Sequence, residues 1–156
     1  MHVHLERSIH ADADLAWQLL GPEFASIDSW ASFVKSSRAL DVADAPVGMV
    51  IAVDAPVAGR ETTTKATLRE FIVAYSDADR SLTFEADGLP PIVRRGRNVQ
   101  SIRATGPDTC TLVFEIDFDF RGPFKVLGPV MRKRMQKSLG GVMDDLKTYA
   151  EAAHAR

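Results

Sequence analysis

Asn98 and Gln100 stand two residues apart in Val93 to Ala104, a segment with strand character, on the same parity as Gly96 and Ile102. If the Ile102 side of that strand turns inward, two uncharged amides enter an apolar interior. Amides there need hydrogen-bond partners, and a ligand carbonyl or hydroxyl is one such partner. A bulge that shifts the register would turn Val99 inward instead. Arg69 alternates with Phe71, Val73 and Tyr75 along Thr64 to Tyr75. An arginine near a cavity mouth can pair with a carboxylate or an enolate-like oxyanion. The more ordinary arrangement buries its stem and leaves its charge in water.

Other candidate groups point to less. His2 and His4 share one face of a strand, a spacing compatible with metal binding, but no acidic or sulfur partner stands near them in a ligating pattern. No metal and no cofactor is expected. Cys110 is the single cysteine, which rules out an intrachain disulfide and a multi-thiolate zinc site. There is no Gly-x-Ser-x-Gly elbow, phosphate loop or dinucleotide fingerprint. Two basic clusters remain, Arg94-Arg95-x-Arg97 and Arg132-Lys133-Arg134 with Lys137. If the fold brings both to one rim, an acidic carrier protein or an anionic membrane surface could meet them.

Composition narrows the classes. The 156 residues carry 19 Lys and Arg against 21 Asp and Glu, a formal net of -2, which argues against a nucleic-acid partner. A chain this long buries roughly 70% of its unfolded surface and needs no staples. Charged residues interrupt the first twenty positions, so a secretory signal is not expected, and no apolar run reaches the ~18 residues of a membrane span. The expectation is a cytoplasmic single domain over 1–156, monomeric or homodimeric.

The elements that position these groups follow from periodicity. Cys110 to Phe120 alternates Leu112, Phe114, Ile116, Phe118 and Phe120 against Glu115, Asp117 and Asp119, the pattern of a half-buried antiparallel strand. Val3 to Ile9, Ser36 to Val42, Met49 to Val53, Thr64 to Tyr75, Ser81 to Ala86 and Val93 to Ala104 are further strands, separated by turns such as Pro46-Val47-Gly48, Gly88-Leu89-Pro90-Pro91 and Gly106-Pro107-Asp108. Asp12 to Leu20 is a short helix capped by Asp12 or His10, and a second covers Ser26 to Phe33. Leu127, Met131, Met135, Leu139, Val142, Met143, Leu146, Tyr149 and Ala153 recur at helical spacing over about seven turns. Pro129 either starts that helix or kinks it. Gly140-Gly141 within it costs ~1 kcal/mol per glycine relative to alanine, in exchange for close approach of the sheet or room for a ligand.

Ile9-His10-Ala11-Asp12-Ala13-Asp14-Leu15-Ala16-Trp17 resembles the opening of the START-like, or SRPBCC, polyketide cyclase/dehydratase superfamily. Trp30, the segment Tyr75 to Leu82 and the closing stretch Asp145 to Glu151 are similar to later family positions. Asp12 stands where the family usually has proline, and His10 where it has an acidic cap. The resemblance implies an α+β helix-grip fold. A seven-stranded antiparallel curved sheet would wrap a long C-terminal helix, two short helices would follow the first strand, and the fold would enclose a cavity for an apolar ligand.

On that fold the ligand-contacting set is Trp30 and Phe33 from the second helix, and Met131, Met135 and Leu139 from the last. Arg69, Phe71, Tyr75, Phe84, Asn98, Gln100, Phe114 and Phe118 come from the strands. The leading functional expectation is the binding of a hydrophobic small molecule such as a lipid or polyketide. An aromatase/cyclase-type enzyme acting on a polyketide intermediate is the alternative, with Arg69, Tyr75, Asn98 and Gln100 orienting carbonyls or stabilising an enolate. A lipid or quinone carrier is a third reading.

Overall fold

The computed structural model describes residues 1–32, 34–41, 50–55, 66–87, 89 and 91–156, with the backbone alone at 41, 50–55 and 66–68. Phe33, Val42, Met49, Thr64 and the turn residues Pro46-Val47-Gly48, Gly88 and Pro90 lie outside the described residues. Among those described, the strands are β1 (His2–Ile9), β2 (Ser36–Asp41), β3 (Val50–Ala55), β4 (Ala66–Ser76), β5 (Ser81–Asp87), β6 (Val93–Gly106) and β7 (Thr109–Phe120). They form one seven-stranded sheet in the order β1-β7-β6-β5-β4-β3-β2, antiparallel at every pairing. The α+β class, the antiparallel sheet and the long C-terminal helix agree with the expectation.

Helix α1 (Ala13–Leu20) is capped by Asp12, whose Oδ1 accepts from the amides of Asp14 at 2.8 Å and Leu15 at 3.1 Å. That carboxylate satisfies two of the orphan donors of the first turn, which decides the cap in favour of Asp12 over His10. The second helical stretch differs from the expected Ser26 to Phe33. It is a 3₁₀ segment over Phe24–Ser29 with a non-helical Ser26, and Trp30 closes it as the C-cap. A tight three-residue repeat suits so short a connector.

After β7 a second 3₁₀ segment, Gly122–Leu127, leads into α2 (Gly128–His154). Pro129 falls in the first turn, where its missing amide proton costs nothing, so it starts the helix and does not kink it.

The C-terminal half of α2 is tied to β1. Arg7 Nε donates to Asp144 Oδ1 at 2.8 Å, Lys147 Nζ donates to the Ser8 carbonyl at 2.8 Å, and Glu151 Oε1 accepts from the His10 amide at 2.9 Å. Val142, Met143, Leu146 and Ala150 bury in one continuous cluster with Val3, Ile9, Leu82, Ile102, Leu112, Phe114 and Ile116. These sheet residues share one face by register, so this is the face turned to α2. Tyr149, expected on the buried stripe, is exposed.

Gly140 explains half of the glycine pair. A Cβ there would come within 3.0 Å of Arg7 Nη2, whereas one at Gly141 would meet nothing within 4 Å.

Candidate functional site

Register across β1, β7, β6, β5 and β4 arranges the inner side chains in rows. One row runs Leu5, Phe114, Gln100, Leu82 and Tyr75; the next runs Val3, Ile116, Asn98, Phe84 and Ile72. A third runs Phe118, Gly96, Ala86 and Glu70. Asn98 and Gln100 therefore project among apolar side chains on the helix-facing side, 7% and 5% exposed, and Val99 does not. The bulges of β6 fall at Val93/Arg95 and Ala104/Gly106, outside the stretch carrying the amides, so their parity with Ile102 is preserved.

Strand β4 departs from simple alternation. A bulge between Ile72 and Ala74 inserts Val73, which is exposed. The parity that grouped Arg69, Phe71, Val73 and Tyr75 is thereby broken. Tyr75 pairs with Leu82 on the inner face, while Arg69 and Phe71 oppose Asp87 and Glu85 on the outer one. Arg69 is exposed. In its place the bulge turns Glu70 inward, opposite Ala86.

Three buried polar atoms in this interior have no hydrogen-bond partner among the described residues: Trp30 Nε1, Glu70 Oε2 and Asn98 Oδ1. Glu70 is partly exposed as a residue, yet that carboxylate oxygen is buried. Burial pushes the Glu70 carboxyl up to about 7, because the charged form loses its hydration. Glu70 was absent from the sequence-derived site. Strict alternation puts it on the solvent side with the other acidic residues, and only the adjacent apolar residues Ile72-Val73 hint at a bulge.

Tyr75 sits near the C-terminal end of the same strand. Its ring lies 5.4 Å from that of Trp17, and its hydroxyl donates to Asp77 Oδ1 at 2.9 Å. The same oxygen accepts from Trp17 Nε1 at 2.8 Å. Burial, and then the Asp77 carboxylate, push the Tyr75 phenol up to about 12, so it remains protonated and already has an acceptor.

The remaining expected residues fall as follows. Trp30, Phe84, Phe114 and Met135 are buried, and Phe118, Met131 and Leu139 are half-buried. Phe84 packs against Phe24, and Phe118 against Phe120 and the bare backbone of Gly96. His2 and His4 acquire acidic neighbours that linear spacing does not show: His2 Nδ1 lies 2.9 Å from Asp117, and His4 Nδ1 lies 3.5 Å from Glu115. No group of three or more residues able to hold a metal occurs among the described residues. None of the described helices is long and apolar enough to cross a membrane.

A single antiparallel sheet closed on one side by a long C-terminal helix is the architecture of the START-like class. The chain belongs to the polyketide cyclase / dehydrase and lipid transport family, whose model matches residues 1–151. Its fold is similar to the Zhui aromatase/cyclase from Streptomyces sp. R1128, with a TM-score of 0.78 at 17% identity, covering 97% of this chain and 93% of that one. A START superfamily protein from Mycobacterium smegmatis superposes with a TM-score of 0.79 at 17% identity, over 97% and 98% of the two chains. Norcoclaurine synthase from Thalictrum flavum gives 0.74 at 16% identity, over 98% and 95%. No curated protein matches the sequence.

Proposed function

We propose that the inner face binds a hydrophobic small molecule bearing hydroxyl or carbonyl groups. The observation that carries this reading is the set of three buried polar atoms without partners among the described residues, Trp30 Nε1, Glu70 Oε2 and Asn98 Oδ1. A buried polar group left unmatched costs about 1–3 kcal/mol, so three in one interior are hard to account for as packing alone. Each is matched if a ligand accepts from Trp30 and donates to Asn98 and to ionised Glu70. The apolar surroundings then hold the carbon skeleton, the usual division of labour in a small-molecule site. Membership of a family described by polyketide cyclisation and lipid transport supports the same class of ligand.

Glu70 favours a second reading, in which the bound molecule is also transformed. A carboxyl at about 7 exchanges a proton readily near neutrality, the property required of a general acid or base. Held beside a polyketide carbonyl, Glu70 would take a proton from the adjacent carbon, and the Asn98 amide would orient the chain. Arg69, exposed on the outer face, has no part in this scheme.

Native mass spectrometry of the purified protein tests the binding reading. A co-purifying lipid or aromatic metabolite, lost in Asn98→Leu, is the expected result. An empty protein that also takes up no member of an apolar compound library would overturn it.

A further inference from the structure

We propose that the second 3₁₀ segment and the first turns of α2 form a surface that docks on an anionic lipid bilayer. Seven large hydrophobic side chains are exposed among the described residues, and four of them, Phe124, Val126, Leu127 and Val130, fall within positions 124–130. Val126 is 82% exposed and Val130 57%, so these side chains protrude from the surface. Exposed apolar groups scattered singly need no explanation, but four together mark an interaction site.

The charge carried by the surrounding stretch of sequence is of one sign. Between Arg121 and Met143 the sequence holds six of the chain's 19 Lys and Arg and none of its 21 Asp and Glu. On α2, Val130, Lys133, Arg134 and Lys137 follow one another at helical spacing on the face opposite Met135, Leu139 and Leu146, and all four are exposed. At the start of the same segment a surface depression of about 620 Å³ is lined by Arg94, Asp119, Phe120, Arg121, Gly122 and Lys125, three cations to one carboxylate. Arg94 arrives there from β6, so one member of the first basic cluster joins Arg121 and Lys125 at this rim. Arg95 does not contribute, since Glu85 pairs with it.

Protruding apolar side chains inside a cationic field suit the headgroup boundary of a bilayer. The apolar groups enter the acyl edge while the cations meet lipid phosphates, and no preformed cavity is needed. An acidic protein would complement the charge but would have to supply pockets for Val126 and Val130. The docking does not depend on the interior binding a ligand.

Flotation with vesicles of phosphatidylcholine alone, and with about 30 mol% phosphatidylserine added, tests the surface. Binding is expected only to the anionic vesicles and should collapse between ~0.1 M and ~1 M salt, as the Debye length falls from about 10 to 3 Å. Each cation near such a surface is worth about a fivefold change, so combining Lys125→Gln, Lys133→Gln and Lys137→Gln should lower partitioning roughly a hundredfold. Val126→Asp, at a side chain with few contacts to lose, should lower it about tenfold or more without changing the melting temperature. No binding to anionic vesicles at ~0.1 M salt, equal binding to neutral ones, or an unaffected triple variant would each overturn the proposal. Lysine-dependent retention on immobilised polyglutamate without vesicle binding would assign the surface to an acidic protein and overturn it too. Ligand-induced thermal stabilisation, read in the same variants, reports separately on the interior.

Discussion

Glu70 and Asn98 face the same interior from strands separated only by β5, and each holds a buried oxygen to which no described residue donates. The pair stands two residues apart along the sheet, on adjacent inner rows, so one extended molecule lying across β5 can reach both. Phe84 and Ala86 form the floor between them.

Replacing Asn98 with Leu separates stability from binding. The leucine keeps the approximate shape and removes the unmatched oxygen, so the empty protein should gain about 1–3 kcal/mol in urea denaturation. The same variant should lose ligand affinity. A destabilised variant would mean that the amide is already satisfied in the free protein.

A ligand bound only by the folded state stabilises it by ~2.7 kcal/mol at a hundred times its dissociation constant. For a domain of this size each kcal/mol moves the melting midpoint by about 2–4 °C, so the shift should be roughly 5–11 °C. Differential scanning fluorimetry reads this directly, and the shift should shrink in Asn98→Leu.

Glu70 makes stability depend on pH in a definite direction. Its carboxyl lies at about 7 in the folded protein against an ordinary 4.5, so the folded state holds the proton more tightly. The contribution is fully present below pH 4.5 and is lost as pH rises towards 7, at up to about 1.4 kcal/mol per pH unit. Glu70→Gln should flatten the stability profile across that window. Parallel wild-type and variant profiles across that window would show that Glu70 is solvated.

The two glycines of α2 should respond differently to alanine. Gly141→Ala meets nothing within 4 Å and should stabilise the helix by about 1 kcal/mol. Gly140→Ala brings a methyl to 3.0 Å from Arg7 Nη2 and disturbs the Arg7–Asp144 pair, so its gain should be smaller or absent. Equal melting temperatures for the two variants would refute the assignment.

Arg69→Ala should leave stability within about 0.5 kcal/mol and ligand affinity unchanged, because the side chain lies exposed on the outer face. Isothermal titration with any ligand that stabilises the wild type checks this. A tenfold loss of affinity would return Arg69 to the site.

Most of the elements were legible because their signals are local. The period-two run from Leu112 to Phe120 and the three- and four-residue recurrence from Met131 to Ala153 each report which side of an element is apolar. The inward placement of Asn98 and Gln100 was legible as one of two alternatives. Their parity with Ile102 was visible, whereas the positions of the β6 bulges were not. Glu70 could not be found this way, because its orientation depends on one inserted residue, Val73, whose effect appears only once β4 is paired with β5.

The sequence alone determined the order of strands and helices, the acidic solvent face of β7, the single cysteine and the family resemblance. Each of these rests on residue types or on repeats that span one element. Only the tertiary structure decided that Arg69 turns outward and Glu70 inward, that Asp117 and Glu115 lie beside His2 and His4, and that Arg94 joins Arg121 and Lys125 at one rim. These relationships cross strands far apart in the chain. Because a strand's side chains alternate with a period of two, a single inserted residue reverses every assignment beyond it, and only the hydrogen-bonded partner strand shows where that residue is.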